Sequence, residues 1–250
     1  MRVSLQPAYI LHSRPYRDSS LLLEAFTPEH GRISLAARGA RRRSRGGSHS
    51  ALLRPFVPLL LSFSGRGELK SLVATEAAGS APALLGDRLF SGLYLNELLV
   101  RLLHRHDAHP QLFAAYSDAL AQLPVAEPME GVLRRFELSL LTELGYSFDI
   151  AVDCRSGDAM QADRWYCYEP GHGLTALPAQ ASPAADAYAG ADLLAIAAGD
   201  LCGSARVACK RLLREALAEY LGQAPLRSRD LFQRAKQARV ALDGQGEGAG

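Results

Sequence analysis

Five short apolar runs, each closed by turn chemistry, crowd into the first 80 residues, and after Pro82 the apolar period becomes that of a helix. The runs cover 8–12, 20–26, 31–37, 56–63 and 68–75, punctuated by Thr27-Pro28-Glu29-His30-Gly31 and Ser64-Gly65-Arg66-Gly67. Such runs between Gly- and Pro-containing turns read as strands. Five of them in so little chain fit a small closed barrel. The five-stranded OB-fold is the form that most often binds oligonucleotides, and an SH3-like barrel has the same pattern.

Beyond Pro82, Leu89, Phe90, Leu93, Tyr94, Leu98, Leu102 and Leu103 form a stripe at helical spacing. Segments 111–123 and 130–144 read as two further helices, the latter stopped by Gly145. Residues 149–190 lose this period around Gly157, Pro170, Gly171, Gly173 and Trp165-Tyr166-Cys167-Tyr168, which suggests a short hairpin or irregular subdomain. Helical spacing returns at 204–221, with Val207, Leu212, Leu213, Leu217, Tyr220 and Leu221 inside and Arg206, Lys210, Arg211 and Arg214 on a solvated face. The expected architecture is α+β: a barrel over 1–80, a mainly helical domain over 81–238, and a low-complexity, disordered tail over 239–250.

No signal-type apolar core opens the chain, and the Leu-rich stretch 84–103 is broken by Asp87, Arg88, Asn96, Glu97 and Arg101, so a soluble, cytosolic protein is expected. Cys154, Cys167, Cys202 and Cys209 are spaced too irregularly for paired zinc ligands or a disulfide framework. His104, His106 and His109 point apart on a helix and are expected to decorate a helix C-terminus.

Charge is segregated. Residues 1–70 carry twelve Lys and Arg against four Asp and Glu, 71–200 are net −10, and 201–250 are net +4. The basic excess peaks in Ala37-Arg38-Gly39-Ala40-Arg41-Arg42-Arg43-Ser44-Arg45-Gly46-Gly47, a cluster that cannot enter a core and attracts a polyanion. A solubilising surface is the plain alternative.

Several strings then converge on one family. They include Tyr16-Arg17-Asp18-x-Ser20-x-Leu22-Leu23, Phe26-Thr27-x-x-x-Gly31, Ala37-Arg38-Gly39-Ala40-Arg41, Pro55-Phe56, Arg66-x-Glu68-Leu69 and Tyr94-x-x-Glu97-Leu98. Arg134-Arg135-Phe136-Glu137-Leu138-x-Leu140-Leu141-x-Glu143-Leu144-Gly145-Tyr146 and Leu221-Gly222-x-x-Pro225-Leu226-x-Ser228-Arg229 complete the set. In this order the chain resembles the RecO family of bacterial recombination mediators over about residues 6–232.

The resemblance implies an N-terminal OB-fold, a helical C-terminal domain, binding of single- and double-stranded DNA, and annealing of complementary strands. It also implies work with RecR, contact with the acidic, Phe-ending tail of single-stranded DNA-binding protein (SSB), and help in placing RecA in the RecF pathway, without covalent catalysis. Arg38, Arg41, Arg42, Arg43 and Arg45, with Arg17, Arg32 and Arg66, are the expected phosphate contacts. Arg17 has the alternative of an ion pair with Asp18 or Glu24. Arg134 and Arg135, near Phe136 and the helix of 98–104, are the expected cations for the SSB tail, unless they pair internally with Glu97 or Glu137. Many family members hold zinc with four cysteines opening as C-x-x-C; here the place reads Cys154-Arg155-Ser156-Gly157, so zinc is expected to be absent, with packing around Trp165 and Tyr166 in its stead and Cys154 a relic or core residue. An RNA- or single-strand-binding OB protein remains the alternative. A nuclease reading lacks a compact carboxylate or His motif.

Overall fold

The computed structural model describes residues 1–42, 51–178 and 184–246, with side chains through Ala238. Arg43 and Arg45 lie outside the described residues. The chain forms two compact units, Met1–Ala126 with Pro225–Gly250, and Glu127–Ala224.

The first unit is built on a closed barrel of β1 (Arg2–Tyr16), β2 (Ser20–Thr27), β3 (Gly31–Ala37), β4 (Leu59–Ser64) and β5 (Leu69–Ala77) in the order β1-β2-β3-β5-β4. β1 closes the barrel against β4, and a parallel pairing joins β3 to β5 at Ser34–Leu69 and Ala36–Ser71. This is the OB-type order. Alternation places Leu23 and Ala25, Ile33 and Leu35, and Leu59, Leu61 and Phe63 in one interior with no more than 1 % exposure.

β1 spans 15 residues, far beyond the expected run at 8–12. Register shifts between Val3 and Gln6 and between Ile10 and His12 bend it, so its first half pairs with β4 and its second with β2.

Two helices are built onto the barrel, α1 (Asp87–Leu102) and α2 (Pro110–Gln122). Tyr9 of β1 meets the ring of Tyr116 at 5.1 Å and Phe26 of β2 meets Phe113 at 5.4 Å, while Tyr9 Oη and Ser117 Oγ lie 2.9 Å apart. The buried Asn96 amide donates to Leu11 O at 2.9 Å and its carbonyl accepts the Tyr116 hydroxyl. The expected boundary at residue 80 therefore marks a change of secondary structure, whereas the break in packing falls at Ala126.

A helix absent from the sequence expectation returns to this unit, α6 (Arg227–Gly246). Glu97 of α1 caps it: its carboxylate accepts the N–H groups of Arg227 and Ser228, both at 2.8 Å, and Ser228 Oγ at 2.6 Å. Phe90 and Phe232 meet edge to face at 5.8 Å. Two of the recurring strings, 130 residues apart, thus meet in one clasp. The helix runs to Gly246. Residues 247–250 lie outside the described residues. Glu97→Ala is expected to cost about 1–2 kcal/mol through loss of the cap. Amide hydrogen exchange should report it as faster exchange in α6 before any change in the barrel.

The second unit contains α3 (Glu130–Glu143), α4 (Gly190–Ala197), α5 (Gly203–Leu221) and a three-stranded sheet, β7 (Gly173–Ala176), β6 (Trp165–Glu169), β8 (Tyr188–Ala189) in that order. Gly145 follows α3 at φ +74°, as a helix stop requires. On α5 the buried face is Ala205, Ala208, Cys209, Leu212, Leu213, Ala216 and Leu217. Val207, expected inside, is 66 % exposed because it falls on the opposite side of that stripe. Arg211, expected outside, lies over the Tyr188 ring at 4.0 Å and donates to the carbonyls of Ala185 and Ala187.

Candidate nucleic-acid interface

The turn after β3 is tied to the turn after β1. Arg41 N–H donates to Ser19 O at 3.0 Å, and Arg42 N–H closes a tight turn on Gly39 O at 2.9 Å, with Gly39 at φ +67°. This tie sets Arg38 and Arg42 beside Arg17, all three exposed. Together with Tyr16, Ser19, Ser20 and Lys70 they line a cleft of about 660 Å³ on the barrel.

Arg17 sits at φ +52° with its guanidinium 5.2 Å from the Tyr16 ring centre. Glu24, one of its alternative partners, is already engaged by Arg32 at 3.1 Å, Arg105 at 3.2 Å and Ser34 Oγ at 2.7 Å. Lys70, 6 % exposed, borders the cleft from β5 and donates to Gly67 O at 3.1 Å. A cleft with cations around one half-buried ring suits a strand whose phosphates face the charges and whose base stacks on the aromatic face.

The expected arginines are thus sorted by the fold. Arg17, Arg38 and Arg42 converge, and Arg41 stands exposed on the same turn. Arg66 lines a second cleft of about 380 Å³ with His30, Glu68, Lys70 and His106. His106 is held below the ordinary imidazole value, first by burial and then by the Lys70 charge. Arg32 does not join either group: it bonds Glu24 and donates through Nε to Leu103 O at 3.1 Å. Burial lowers its pKa, against the opposing pull of Glu24. Its place on β3, two pairs from Glu24 across the ladder, makes it a structural cation. Tyr16 and Lys70 belong to the cleft but were not among the expected contacts; the aromatic beside Arg17 was the signal for the first.

In the second unit Arg134 is buried and pairs with Glu137 at 2.8 Å, the internal pairing left open above, whereas Arg135 is exposed on α3. Phe136 is core, 2 % exposed. Residues 98–104, the last turn of α1 and the two residues after it, belong to the first unit.

The histidines do not decorate a helix end as a group. His109 is the buried N-cap residue of α2 with Nε2 3.5 Å from Asp107, and His106 sits in the connection, its N–H on Arg32 O at 3.0 Å.

The loop at Cys154 lacks the C-x-x-C opening with which the family's four-cysteine zinc sites begin. Gly157 stands where a second ligand would be needed, and Thr175 Oγ1 lies 3.1 Å from Cys154 Sγ. Among the described residues no group of three or more His, Cys, Asp and Glu is disposed to hold a metal. Asp153 organises the loop instead, accepting the N–H groups of Arg155 at 2.8 Å, Ser156 at 3.2 Å and Ala176 at 2.9 Å. Tyr166 is buried and accepts Gln161 N–H at 2.7 Å, but Trp165 is 41 % exposed and does not pack as expected, and Cys154 is exposed rather than a core residue. Trp165 is the first residue of a strand whose alternation turns Tyr166 inward and Trp165 outward.

Burial alone would raise the Asp153 carboxyl, but the three backbone donors outweigh it and hold its pKa below the ordinary value. A carboxyl depressed in the folded state stabilises above its unfolded pKa, and that stability fades as pH falls through the folded one. Acid titration of Asp153→Asn is therefore expected to show a smaller loss of second-unit stability on acidification than the unaltered chain. Equal losses would count against it.

Similarity to known proteins agrees with this layout. The family model described as "Recombination protein O N terminal" matches residues 1–81, and "Recombination protein O C terminal" matches 86–230. The chain is 45 % identical over 238 residues to "DNA repair protein RecO" of Azoarcus sp. (strain BH72), covering 93 % of this chain and 96 % of that protein. It is 47 % identical over 232 residues to the protein of that name from Methylococcus capsulatus, covering 92 % and 93 %. For the one from Cellvibrio japonicus the identity is 46 % over 233 residues, covering 93 % and 98 %.

Proposed function

The chain belongs to the recombination protein O family, and from that premise we propose that it is a DNA repair protein that binds single- and double-stranded DNA and anneals complementary strands without a covalent step. The observation that carries this reading is the meeting of Arg17, Arg38, Arg42 and Lys70 around Tyr16 in one cleft.

Guanidiniums pair with phosphate oxygens and release condensed counterions, so affinity falls steeply with salt and depends little on sequence. Two strands repel each other through their phosphates. A protein that neutralises one backbone while leaving base edges open lowers that repulsion, and pairing proceeds by itself. The adaptable turn around Gly39 lets the arginines follow a flexible strand, and stacking on Tyr16 accepts any base.

In the cell this activity would serve RecF-pathway recombination, with RecR as partner, by helping RecA onto strands coated with SSB. Exposed Arg135 is the residue of the second unit suited to meet the acidic SSB tail; Arg134 is committed to Glu137. Association with the nucleoid would follow from DNA binding.

The test is the annealing rate of two complementary strands coated with cognate SSB, at low and moderate salt. Acceleration that fades with salt and vanishes when the SSB tail is deleted is the expected result. Normal binding to bare strands without acceleration, or preference for RNA of equal length, would favour a general OB-type nucleic-acid binder instead.

A further inference from the structure

The second cleft of the barrel unit is built from three separate pieces of chain. His30 comes from the turn before β3, Arg66 and Glu68 from the turn before β5, and His106 from the connection between α1 and α2. Hydrogen bonds and packing hold each piece. His30 N–H donates to Thr27 Oγ1 at 3.1 Å, and its ring meets Phe63 edge to face at 5.6 Å. His106 N–H donates to Arg32 O at 3.0 Å, which pins the connection to the start of β3. Lys70 Nζ donates to Gly67 O at 3.1 Å and so ties β5 to the turn that precedes it.

Lys70 is common to the walls of both clefts although it is only 6 % exposed. A buried charge is costly without a counter-charge. Glu68, the carboxylate on the second wall, is 81 % exposed and pairs with Arg105 at 3.5 Å, and Asp107 of the connection is turned to His109 at 3.5 Å. The cleft therefore sets Arg66, Lys70 and two imidazoles against one carboxylate that Arg105 already engages. Burial and then the Lys70 charge hold His106 below its ordinary value; Glu68 opposes this, and Arg105 and His30 add to it. Each proton taken up by His30 or His106 places another cation beside Lys70 and Arg66, and an anion relieves that crowding.

We propose that the second cleft is a proton-linked phosphate subsite, which holds a further backbone phosphate of the strand bound in the first cleft. Arg66 and Lys70 supply standing charge, and His30 and His106 supply charge that the phosphate recruits. This rests on the reading of the first cleft as a strand path and adds a dependence on pH. The sign follows from linkage. A bound phosphate favours the imidazolium and raises its pKa, so binding takes up protons and affinity rises as pH falls through the value of the free imidazole. A rise of about one unit in one imidazole corresponds to a roughly fivefold gain in affinity between about pH 8 and pH 6.

The test measures the affinity of the full chain for an oligothymidylate carrying a pH-insensitive dye, across that range at constant ionic strength. Neither the thymine bases nor the phosphodiesters titrate there. The expected result is a gain of about fivefold toward the acid side, lost when His30→Gln and His106→Gln are combined and kept, at lower overall affinity, when Arg17, Arg38 and Arg42 are replaced by glutamine. Imidazole resonances of the unaltered chain give a second reading that needs no substitution and no strand path. On addition of inorganic pyrophosphate, His30 and His106 should titrate at higher pH while His172 of the second unit does not move. Imidazoles unmoved by pyrophosphate, or a pH gain that survives the paired histidine substitutions, would overturn the proposal. A pH-independent affinity that the arginine substitutions still weaken would overturn the subsite and leave the first cleft standing. A pH gain intact in an arginine variant of undiminished affinity would support the subsite and remove the first cleft from the strand path.

Discussion

Replacing Arg17, Arg38 and Arg42 together by glutamine is expected to weaken binding to a short single strand by on the order of a hundredfold at moderate salt. All three side chains are exposed and line one cleft, so the substitutions remove charge without opening the core. A single strand releases about 0.7 counterions per phosphate neutralised, so the slope of log affinity against log salt should fall by about two. The loss should be equal for oligonucleotides of different sequence, because phosphate contacts carry no base information. Fluorescence anisotropy across a salt series reads both quantities, and thermal unfolding should shift within about 0.5 kcal/mol. An unchanged slope, or a loss confined to particular sequences, would place the strand elsewhere.

Gly31→Ala is expected to destabilise the barrel unit by about 3 kcal/mol or more. Gly31 opens β3 at φ +57°, where a side chain is strained, and a Cβ there would lie 1.7 Å from Asp107 O. That oxygen is backbone in the connection between α1 and α2, which Arg32 O also holds through His106 N–H. The clash cannot be relieved by a rotamer change, so the connection itself must move. Gly67 gives the contrast: a Cβ at that site meets nothing within 4 Å, and Gly67→Ala should leave stability nearly unchanged. Denaturant unfolding of the two variants separates these outcomes, and equal midpoints would contradict the packing described for Gly31.

The two expectations draw on different kinds of legibility. β3 was readable from Gly31 to Ala37 because the alternation Arg32-Ile33-Ser34-Leu35 lies between a turn and an arginine run, and β2 because a short apolar run lies between turn residues. β1 was not, because its two register shifts interrupt alternation and Pro7 and Pro15 resemble strand ends. The short α4 was hidden in an Ala-rich run with no polar face, and α6 because its hold on the fold is a cap from Glu97, 130 residues away. Arg17, Arg38 and Arg42 were legible as cations, but only the Arg41–Ser19 hydrogen bond shows why they share a cleft. Arg32 has the same chemistry in the sequence, and its diversion to Glu24 depends on strand pairing that no local pattern reveals. Lys70 was passed over because a lone lysine in a strand reads as ordinary surface, whereas the parallel pairing of β3 with β5 carries it to the cleft.

The most direct test of the central claim is to irradiate the full chain bound to a bromodeoxyuridine-substituted single strand and map the adducts by mass spectrometry. If a strand lies in the barrel cleft with a base on its aromatic wall, adducts should fall on Tyr16 and its neighbours there. Adducts confined to α6 or to the second unit, with Tyr16 untouched, would contradict it.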